Sequence, residues 1–294
     1  MKKLTTTFSG ICLFFAAFAQ PDKVYSSLEE ALQAPANVYV LSLANKKLSS
    51  LPETVMQFPN LVSLDLSGNK LTSLPESFTR LNRLTELDLR DNKFNTLPEV
   101  VTRITTLTEL DFSSNNCSVL PASLANLVNM KILYLNNNKF SSLPEPIMKL
   151  TNLTELYVYG NLLKAFPEGI GNLTQLTELG AGGNLLFFLP ESITRLTRLR
   201  YLTLPYNQFT SLPDNLTRLP ALEVLDMNQN KLATLPVHFE RLTSLRELYL
   251  EGNKLSALPE GLFTLTGLLI LNIRENKNLK LTAEQKTFAE SRRS

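Results

Sequence analysis

The sequence predicts an α/β fold: a right-handed solenoid, or horseshoe, with a parallel β-sheet on its concave face and short helical or 3₁₀ turns on its convex face. Two observations predict this fold. The stretch LVSLDLSGNKLTSLPESFTRLNR, residues 61–83, returns in register along the chain with a period of 23 residues. Each unit also carries more leucines than it can bury alone, so successive units must stack and cover one another.

The repeat frame covers residues 38–276 as ten full units and one partial unit. The units start at Val38, Leu61, Leu84, Leu107, Met130, Leu153, Leu176, Leu199, Leu222, Leu245 and Leu268. Units in unbroken register predict one elongated domain, although a chain of 294 residues would otherwise suggest two.

Each unit begins with a predicted strand, placed around residues 63–67 in the second unit. Leu64 and Leu66 fall on one face of this segment and polar side chains on the other, which is the alternation of a half-buried strand. Further along, Pro75 suits the first position of a helical or 3₁₀ turn, where its missing N–H is not needed. Glu76 suits the positive end of that turn.

A column of asparagines marks the turn after each strand. A leucine would pack equally well there, so packing does not explain the choice. The side-chain amide both donates and accepts hydrogen bonds, so we expect these residues to satisfy backbone groups of a buried turn. The column consists of Asn69, Asn92, Asn115, Asn138, Asn161, Asn184, Asn207, Asn230, Asn253 and Asn276. The first unit has Lys46 here, which a partly wet end unit tolerates.

With these motifs the chain resembles the leucine-rich repeat family over about residues 38–276. The LPxxIxxL-type return is similar to that of plant intracellular Ras-group-related proteins and animal Ras-signalling scaffolds. The whole layout, with an export signal and a short SLEEAL cap, is more similar to small exported bacterial proteins of this family. The resemblance implies a curved solenoid that binds partners, usually proteins, on its concave sheet. It does not imply one ligand.

Residues 1–19 have the pattern of a signal peptide. Lys2 and Lys3 form a basic start, residues 11–19 are apolar, and residues 17–19 form an A-x-A cleavage motif. The apolar run is shorter than the roughly 20 residues that a membrane span needs. An uncleaved anchor is the alternative interpretation, but we expect cleavage and no integral membrane insertion.

Cleavage would leave a chain near neutrality. The full sequence has 29 Lys and Arg against 27 Asp and Glu, and cleavage removes two of the lysines. A neutral chain has no general affinity for nucleic acid or acidic membranes, so neither is an expected partner. Cleavage also removes Cys12 and leaves Cys117 alone, so no intramolecular disulfide can form.

Two segments are predicted to cap the ends of the stack. In residues 20–37, Ser27 and Glu30 form a capping box for a short amphipathic helix that Pro35 ends. In residues 277–294, Thr282 begins a second capping box, and we expect this cap and tail to close the other end. The last six or so residues are expected to fray.

The sequence offers no catalytic constellation. It has one histidine, His238, so a metal site with several histidines is excluded. Cys117 lies at a core position of the fourth unit, five strand spacings or roughly 24 Å from the ninth unit that holds His238. The pair cannot meet. We therefore predict a protein that is not an enzyme and needs no cofactor or metal.

The fifth to eighth units carry a candidate binding site on the predicted concave face. Gly180 and Gly182 replace side chains between rows of tyrosines, so we expect a dent with walls about 9–10 Å apart, two strand spacings. Aromatic side chains around a concavity are typical of binding sites. The candidate ligand-binding residues are Tyr134, Tyr157, Tyr159, Glu178, Gly180, Gly182, Tyr201 and Tyr206.

Columns of carboxylates are a second candidate. They would suit a basic partner or a divalent ion, or they are only the solvated surface of a recurring LTEL motif. The columns are Glu86, Glu109, Glu155, Glu178 and Glu247, and Asp65, Asp88, Asp111 and Asp226.

Beside the dent, Leu162, Leu185, Phe187 and Phe188 would extend an apolar surface, either for binding or as local packing of two diverged units.

These observations together predict an exported, non-catalytic recognition module that binds a protein or peptide on its concave face. Binding of carbohydrate or cell-wall glycan is the main alternative, because tyrosines also stack on sugars. An intracellular signalling scaffold of the Ras-group-related type is the second. The partner, the oligomeric state and the compartment beyond export stay open.

The first prediction concerns maturation. The exported chain should begin at Gln20 or within about two residues of it, because the A-x-A motif ends at Ala19. Intact-mass measurement of exported protein tests this, and a mass that retains Met1 would contradict it.

Overall fold

The computed structural model describes residues 23–292, and the expected signal peptide lies outside this range. Its strands form one parallel twelve-stranded sheet in sequential order. The strands are β1 (Val24–Tyr25), β2 (Val40–Ser42), β3 (Ser63–Asp65), β4 (Glu86–Asp88), β5 (Glu109–Asp111), β6 (Ile132–Tyr134), β7 (Glu155–Tyr157), β8 (Glu178–Gly180), β9 (Tyr201–Thr203), β10 (Val224–Asp226), β11 (Glu247–Tyr249) and β12 (Ile270–Asn272).

The return segments are mostly short 3₁₀ turns, as predicted. They are Pro35–Asn37, Glu53–Gln57, Glu76–Arg80, Ala122–Asn126, Glu145–Lys149, Glu168–Asn172, Glu191–Arg195, Asp214–Arg218, Phe239–Arg241 and Glu260–Thr264. Residues 23–292 contain three α-helices, which are α1 (Leu28–Ala31), α2 (Glu99–Thr102) and α3 (Ala283–Glu290). None of the described helices is long and apolar enough to cross a membrane.

One detail of the turns differs from the prediction. Pro75 precedes the turn Glu76–Arg80 as its N-cap, with φ −72° and ψ 155°, and does not occupy the first helical position. Extended backbone at the cap is the usual geometry there, and the ring of proline is compatible with it. Prolines at the equivalent position of other units also precede their turns with extended ψ values, as at Pro190.

The strand register places each leucine directly beside its equivalent in the next unit. Leu64 pairs with Leu87, which in turn pairs with Leu110. These side chains are at most 2% exposed, and each fully buried leucine contributes about 1.5–3 kcal/mol. Cys117 belongs to the same core and is fully buried, as predicted.

The asparagine column forms a hydrogen-bonded ladder along the inside of the turns. The Nδ2 of Asn161 donates to the carbonyls of Leu135, Val158 and Tyr159 at 3.0, 3.1 and 3.2 Å, and its Oδ1 accepts from Phe140 N at 3.1 Å. Two of these four partners lie in the preceding unit. All ten asparagines are buried, so each amide supplies partners to backbone groups that water does not reach.

Both ends are capped, with three differences from the prediction. In the first cap, Ser27 is the N-cap of α1 and accepts from Glu30 N, but the Glu30 side chain pairs with Lys23 and does not complete the predicted capping box. This cap also contains a strand, β1, that pairs with β2 and was not predicted. At the other end, α3 has the predicted capping box at Thr282. The expectation that the tail frays is wrong for Arg292: its carbonyl accepts from Leu271 N on the edge strand, and its guanidinium stacks 3.7 Å from the Phe288 ring.

The second prediction tests the ladder. Asn161→Leu should lower the free energy of unfolding by about 1–3 kcal/mol, because it leaves buried backbone groups unpaired. Lys46→Leu is the matched control and should change little, since Lys46 is exposed. Equal shifts of the denaturant midpoint in the two variants would refute the structural role of the ladder.

Candidate functional site

The concave face consists of three columns of outward-facing side chains. The first column contains Glu86 and its strand partners, the second contains Asp88 and its partners, and the third lies two residues after the second. In order from the second unit, the first column reads Ser63, Glu86, Glu109, Ile132, Glu155, Glu178, Tyr201, Val224, Glu247 and Ile270. The second reads Asp65, Asp88, Asp111, Tyr134, Tyr157, Gly180, Thr203, Asp226, Tyr249 and Asn272.

Three tyrosines form an aromatic array in the middle of this face. The rings of Tyr134 and Tyr157 stack with centroids 4.9 Å apart and an interplanar angle of 5°. Tyr157 and Tyr159 follow at 6.3 Å and 19°. The separation of the first pair is close to the roughly 4.8 Å between neighbouring strands, so the rings lie in file along the sheet.

The dent expected at Gly180 and Gly182 is not open, which corrects the interpretation of these two residues. The Tyr159 side chain crosses the segment formed by the end of β8 and the two residues after it, and its hydroxyl hydrogen-bonds to Thr203 Oγ1 on the far side. A side chain at position 180 would collide with the Tyr159 ring, and one at 182 would meet Pro205 Cδ at 2.9 Å and Tyr159 Cδ1 at 3.0 Å. The glycines therefore provide room for the tyrosine.

The other two tyrosines do not enclose the array. Tyr201 lies in the first column beside Glu178, and Thr203 takes the place opposite Gly180. Tyr206 lies in the turn after β9 with φ 55° and is 66% exposed. The structure thus brings together Tyr134, Tyr157 and Tyr159 with Glu178. It adds Thr203, which the sequence analysis missed because no motif marks it.

Two glutamates lie beside the hydroxyl of Tyr157, the central ring of the array. Tyr157 Oη donates to Glu155 Oε2 at 2.9 Å. Burial, followed by the charges of Glu178 and Glu155, raises the pKa of Tyr157 above its usual range. Burial also raises the pKa of Glu178, against the opposing effect of its hydrogen bond with Tyr157. The polar edge of the array is therefore an acidic rim, formed by the partly desolvated carboxylates of Glu155 and Glu178.

The carboxylate columns of the second to fourth units are partly buried and repel one another. Burial, with the negative charge of Asp111, raises the pKa of Asp88 to about 7. Burial, with Glu86 and Glu155, raises the pKa of Glu109 to about 7. These shifts have the direction expected when like charges share a surface with little water.

Arg90 is the cation that the structure places among these groups. Its Nε lies 3.1 Å from Asp88 Oδ2, and its Nη1 lies 4.0 Å from Asp111 Oδ2. Within the described residues, Glu86 Oε2 is buried and receives no hydrogen bond, and the contact to Asp88 Oδ2 lacks hydrogen-bond geometry. Arg90 alone therefore neither neutralises these carboxylates nor supplies all their oxygens with hydrogen bonds.

Groups for catalysis or metal binding do not converge on this face. His238 lies on a return segment, where its Nδ1 is 3.1 Å from Glu240 Oε1. Cys117 lies in the core, and burial raises the pKa of its thiol to about 11. Among the described residues, no group of three or more His, Cys, Asp or Glu side chains could hold a metal ion.

A small apolar patch lies beside the array on the flank of the stack. Leu162, Leu185, Phe187 and Phe188 are 50%, 41%, 52% and 44% exposed. Phe187 and Phe188 pack edge to face at 4.9 Å. The exposure expected from the sequence is therefore present.

Comparisons with known families and structures give a consistent result. The "Leucine rich repeat" family model matches residues 36–94 and 197–255, and the model of two "Leucine Rich repeats" matches residues 105–147. No curated protein matches the sequence.

Several solved structures are similar. The ectodomain of the Arabidopsis receptor kinase HAESA, in complex with an N-terminally extended IDA peptide hormone ligand, is 31% identical over 82% of this chain and 43% of its own, with a TM-score of 0.70. TLR13 in complex with ssRNA13 is 26% identical over 86% and 39%, with a TM-score of 0.72. An internalin from Listeria monocytogenes, 20% identical over 86% and 92% with a TM-score of 0.60, shows the fold alone. This chain spans about two fifths of the two receptor chains.

The third prediction concerns Tyr159. Gly180→Ala should lower the free energy of unfolding by about 1–3 kcal/mol, because the new methyl group collides with the ring. The same substitution in a Tyr159→Ala background should cost far less. Denaturant unfolding of the two single variants and the double variant measures this coupling.

Gly267→Ala is the control, since its methyl group meets mainly the flexible end of Arg246. Additive effects of Gly180→Ala and Tyr159→Ala would show that the ring does not lie over the glycines.

Proposed function

The chain belongs to the leucine-rich repeat family, and from this premise we propose that it is an exported, non-catalytic recognition module that binds a protein or peptide on its concave face. The observation that carries the proposal is the aromatic array of Tyr134, Tyr157 and Tyr159. It lies on the uncovered side of the sheet, at the centre of the stack. Large aromatic side chains at such positions are typical anchors of binding interfaces.

The similarity to the HAESA ectodomain supports a peptide or protein as the ligand. That protein is described in complex with a peptide hormone. An extended segment lying across parallel strands would contact several units at once, and the repeated columns offer it side chains at regular intervals. Glu155 and Glu178 at the rim of the array would accept hydrogen bonds from its backbone.

Two features support a binding role without catalysis. The histidine and the cysteine of the described residues are separated, one on a return segment and one in the core. The acidic groups of the concave face lie in columns at strand spacing and do not converge on one point. Binding would make and break no covalent bond.

Export is supported by the basic start, apolar run and A-x-A motif of residues 1–19. We accordingly assign residues 1–19 as signal peptide, 20–37 and 277–294 as caps, and 38–276 as the binding domain. A mature chain with a single buried thiol would depend on its core and ladder for stability outside the cell.

A glycan is the second candidate, favoured by the stacked tyrosine rings, whose faces also suit sugars.

A nucleic acid is disfavoured despite the RNA complex described for TLR13. The phosphate backbone needs cationic contacts, and in the three concave columns carboxylates far outnumber arginines.

The fourth prediction tests the proposed function. A random peptide library displayed on phage should yield peptides that bind the purified protein. Tyr157→Ala should weaken their binding by about 1–3 kcal/mol, because it removes the centre of the array. Arg218→Ala is the control and should leave binding unchanged, because Arg218 is exposed on a return segment of the opposite face.

Fluorescent single-stranded RNA and soluble cell-wall glycan fragments form parallel arms of the same measurement. Absence of any selected peptide, or equal losses in both variants, would contradict peptide binding by this face. Tyr157-dependent binding of glycan fragments alone would favour the second candidate.

A further inference from the structure

The aromatic array ends differently on its two sides. Tyr159 occupies the space over Gly180, beside Tyr157. At the opposite end the next residue in the second column is Asp111, which pairs with Tyr134. Because the Tyr134 and Tyr157 rings are nearly parallel and in file along the sheet, the remaining face of Tyr134 is directed towards Asp111. At this point the second column changes from the long aromatic side chain of Tyr134 to the short carboxylate of Asp111.

Carboxylates lie around this boundary between Asp111 and Tyr134. Glu109 lies two residues before Asp111 on the same face of β5, about 6.6–6.8 Å along the strand. Glu86 lies directly beside Glu109 on β4, one strand spacing away. Burial, followed by the charges of Glu109, Glu155 and Asp111, raises the pKa of the Tyr134 hydroxyl above its usual range.

These carboxylates lack sufficient counter-charge. Like charges directly opposite each other destabilise a sheet. Arg90 reaches Asp88 and Asp111, but no described ion pair involves Glu86 or Glu109. Buried Glu86 Oε2 has no hydrogen-bond donor among the described residues. The presence of Arg90 beside Asp88 shows that this surface holds a guanidinium.

We propose that Glu86, Glu109, Asp111 and Tyr134 form a cation subsite that receives a lysine or arginine side chain of a peptide partner. The ring face of Tyr134 attracts the cation through its quadrupole, and the apolar stem of the side chain packs along the ring. Glu86 and Glu109 accept its hydrogen bonds, with Asp111 below. This inference rests on the proposed peptide binding and specifies the class of peptide: a basic one.

An organic cation fits this surface better than a metal ion. Divalent cations such as Ca²⁺ need six to eight oxygens that converge on one point. The carboxylates here lie in columns at strand spacing, and no described group of three could hold a metal ion. A guanidinium or ammonium group makes separate hydrogen bonds in several directions and needs no such convergence.

Matched synthetic peptides test the subsite. Alternating arginine–glycine, citrulline–glycine and glutamate–glycine peptides have the same length and differ in charge, and citrulline keeps nearly the shape of arginine without its charge. Isothermal titration calorimetry at low salt measures their affinities. We expect the arginine peptide to bind, the citrulline peptide to bind about threefold to thirtyfold more weakly, and the glutamate peptide not to bind.

Two variants and one control assign the effect to the subsite. Glu109→Gln should weaken binding of the arginine peptide about threefold to tenfold, and the fold should persist because the substitution removes like-charge repulsion. Tyr134→Leu should have a similar effect through loss of the ring. Glu145→Gln, exposed on the opposite side of the stack, makes the same change of net charge and should leave binding unchanged.

Several results would overturn the subsite. They are equal affinities for the arginine and citrulline peptides, equal losses in Glu109→Gln and Glu145→Gln, or displacement of the peptide by millimolar Ca²⁺ in a manner that Glu109→Gln abolishes. If library peptides depend on Tyr157 but are not enriched in lysine or arginine, the cation subsite is wrong and the proposed function stands. If neither the library nor the arginine peptide binds, both are wrong.

Discussion

The asparagine ladder is the interaction on which the rest of this structure depends. Strands of three residues and turns of three to five residues give each unit few hydrogen bonds of its own. Asn92 shows how the ladder compensates: its amide donates to Leu89 O in its own unit and to Leu66 O in the preceding one, and accepts from Leu71 N. Because these bonds are buried, a slip of one residue would leave several of them unmade.

A fixed register has consequences for the concave face. Each sequence position becomes a column, so a recurring LTEL motif places glutamate beside glutamate, as with Glu86 and Glu109 or Glu155 and Glu178. This repulsion opposes folding, and the ladder and the leucine core hold the strands together against it. The free chain therefore carries an electrostatic cost on the face that is open to a partner, and a cationic partner would reduce that cost.

Periodicity determined how much of the structure could be predicted from the sequence. The strand positions, the asparagine ladder, the burial of Cys117 and the exposure of Phe187 follow from the repeat, and the structure has them. The position of Tyr159 did not follow, because a column gives the origin of a side chain but not the direction in which it leans. Its partner, Thr203, lies 44 residues further along. Outside the repeat, β1 and the tail at Arg292 lack periodic neighbours from which to infer pairing.

Recognition by a repeat protein depends on the positions where the repeat changes. A uniform carboxylate column attracts any cation, and a uniform aromatic column favours any flat or apolar surface. At the boundary between Asp111 and Tyr134 the same column changes from one chemistry to the other within a single strand spacing. A ligand group gains from both sides only if it carries charge on an apolar stem, and among amino-acid side chains lysine and arginine have that structure. In the proposed complex, the boundary would therefore select a partner more narrowly than either half of the face does alone.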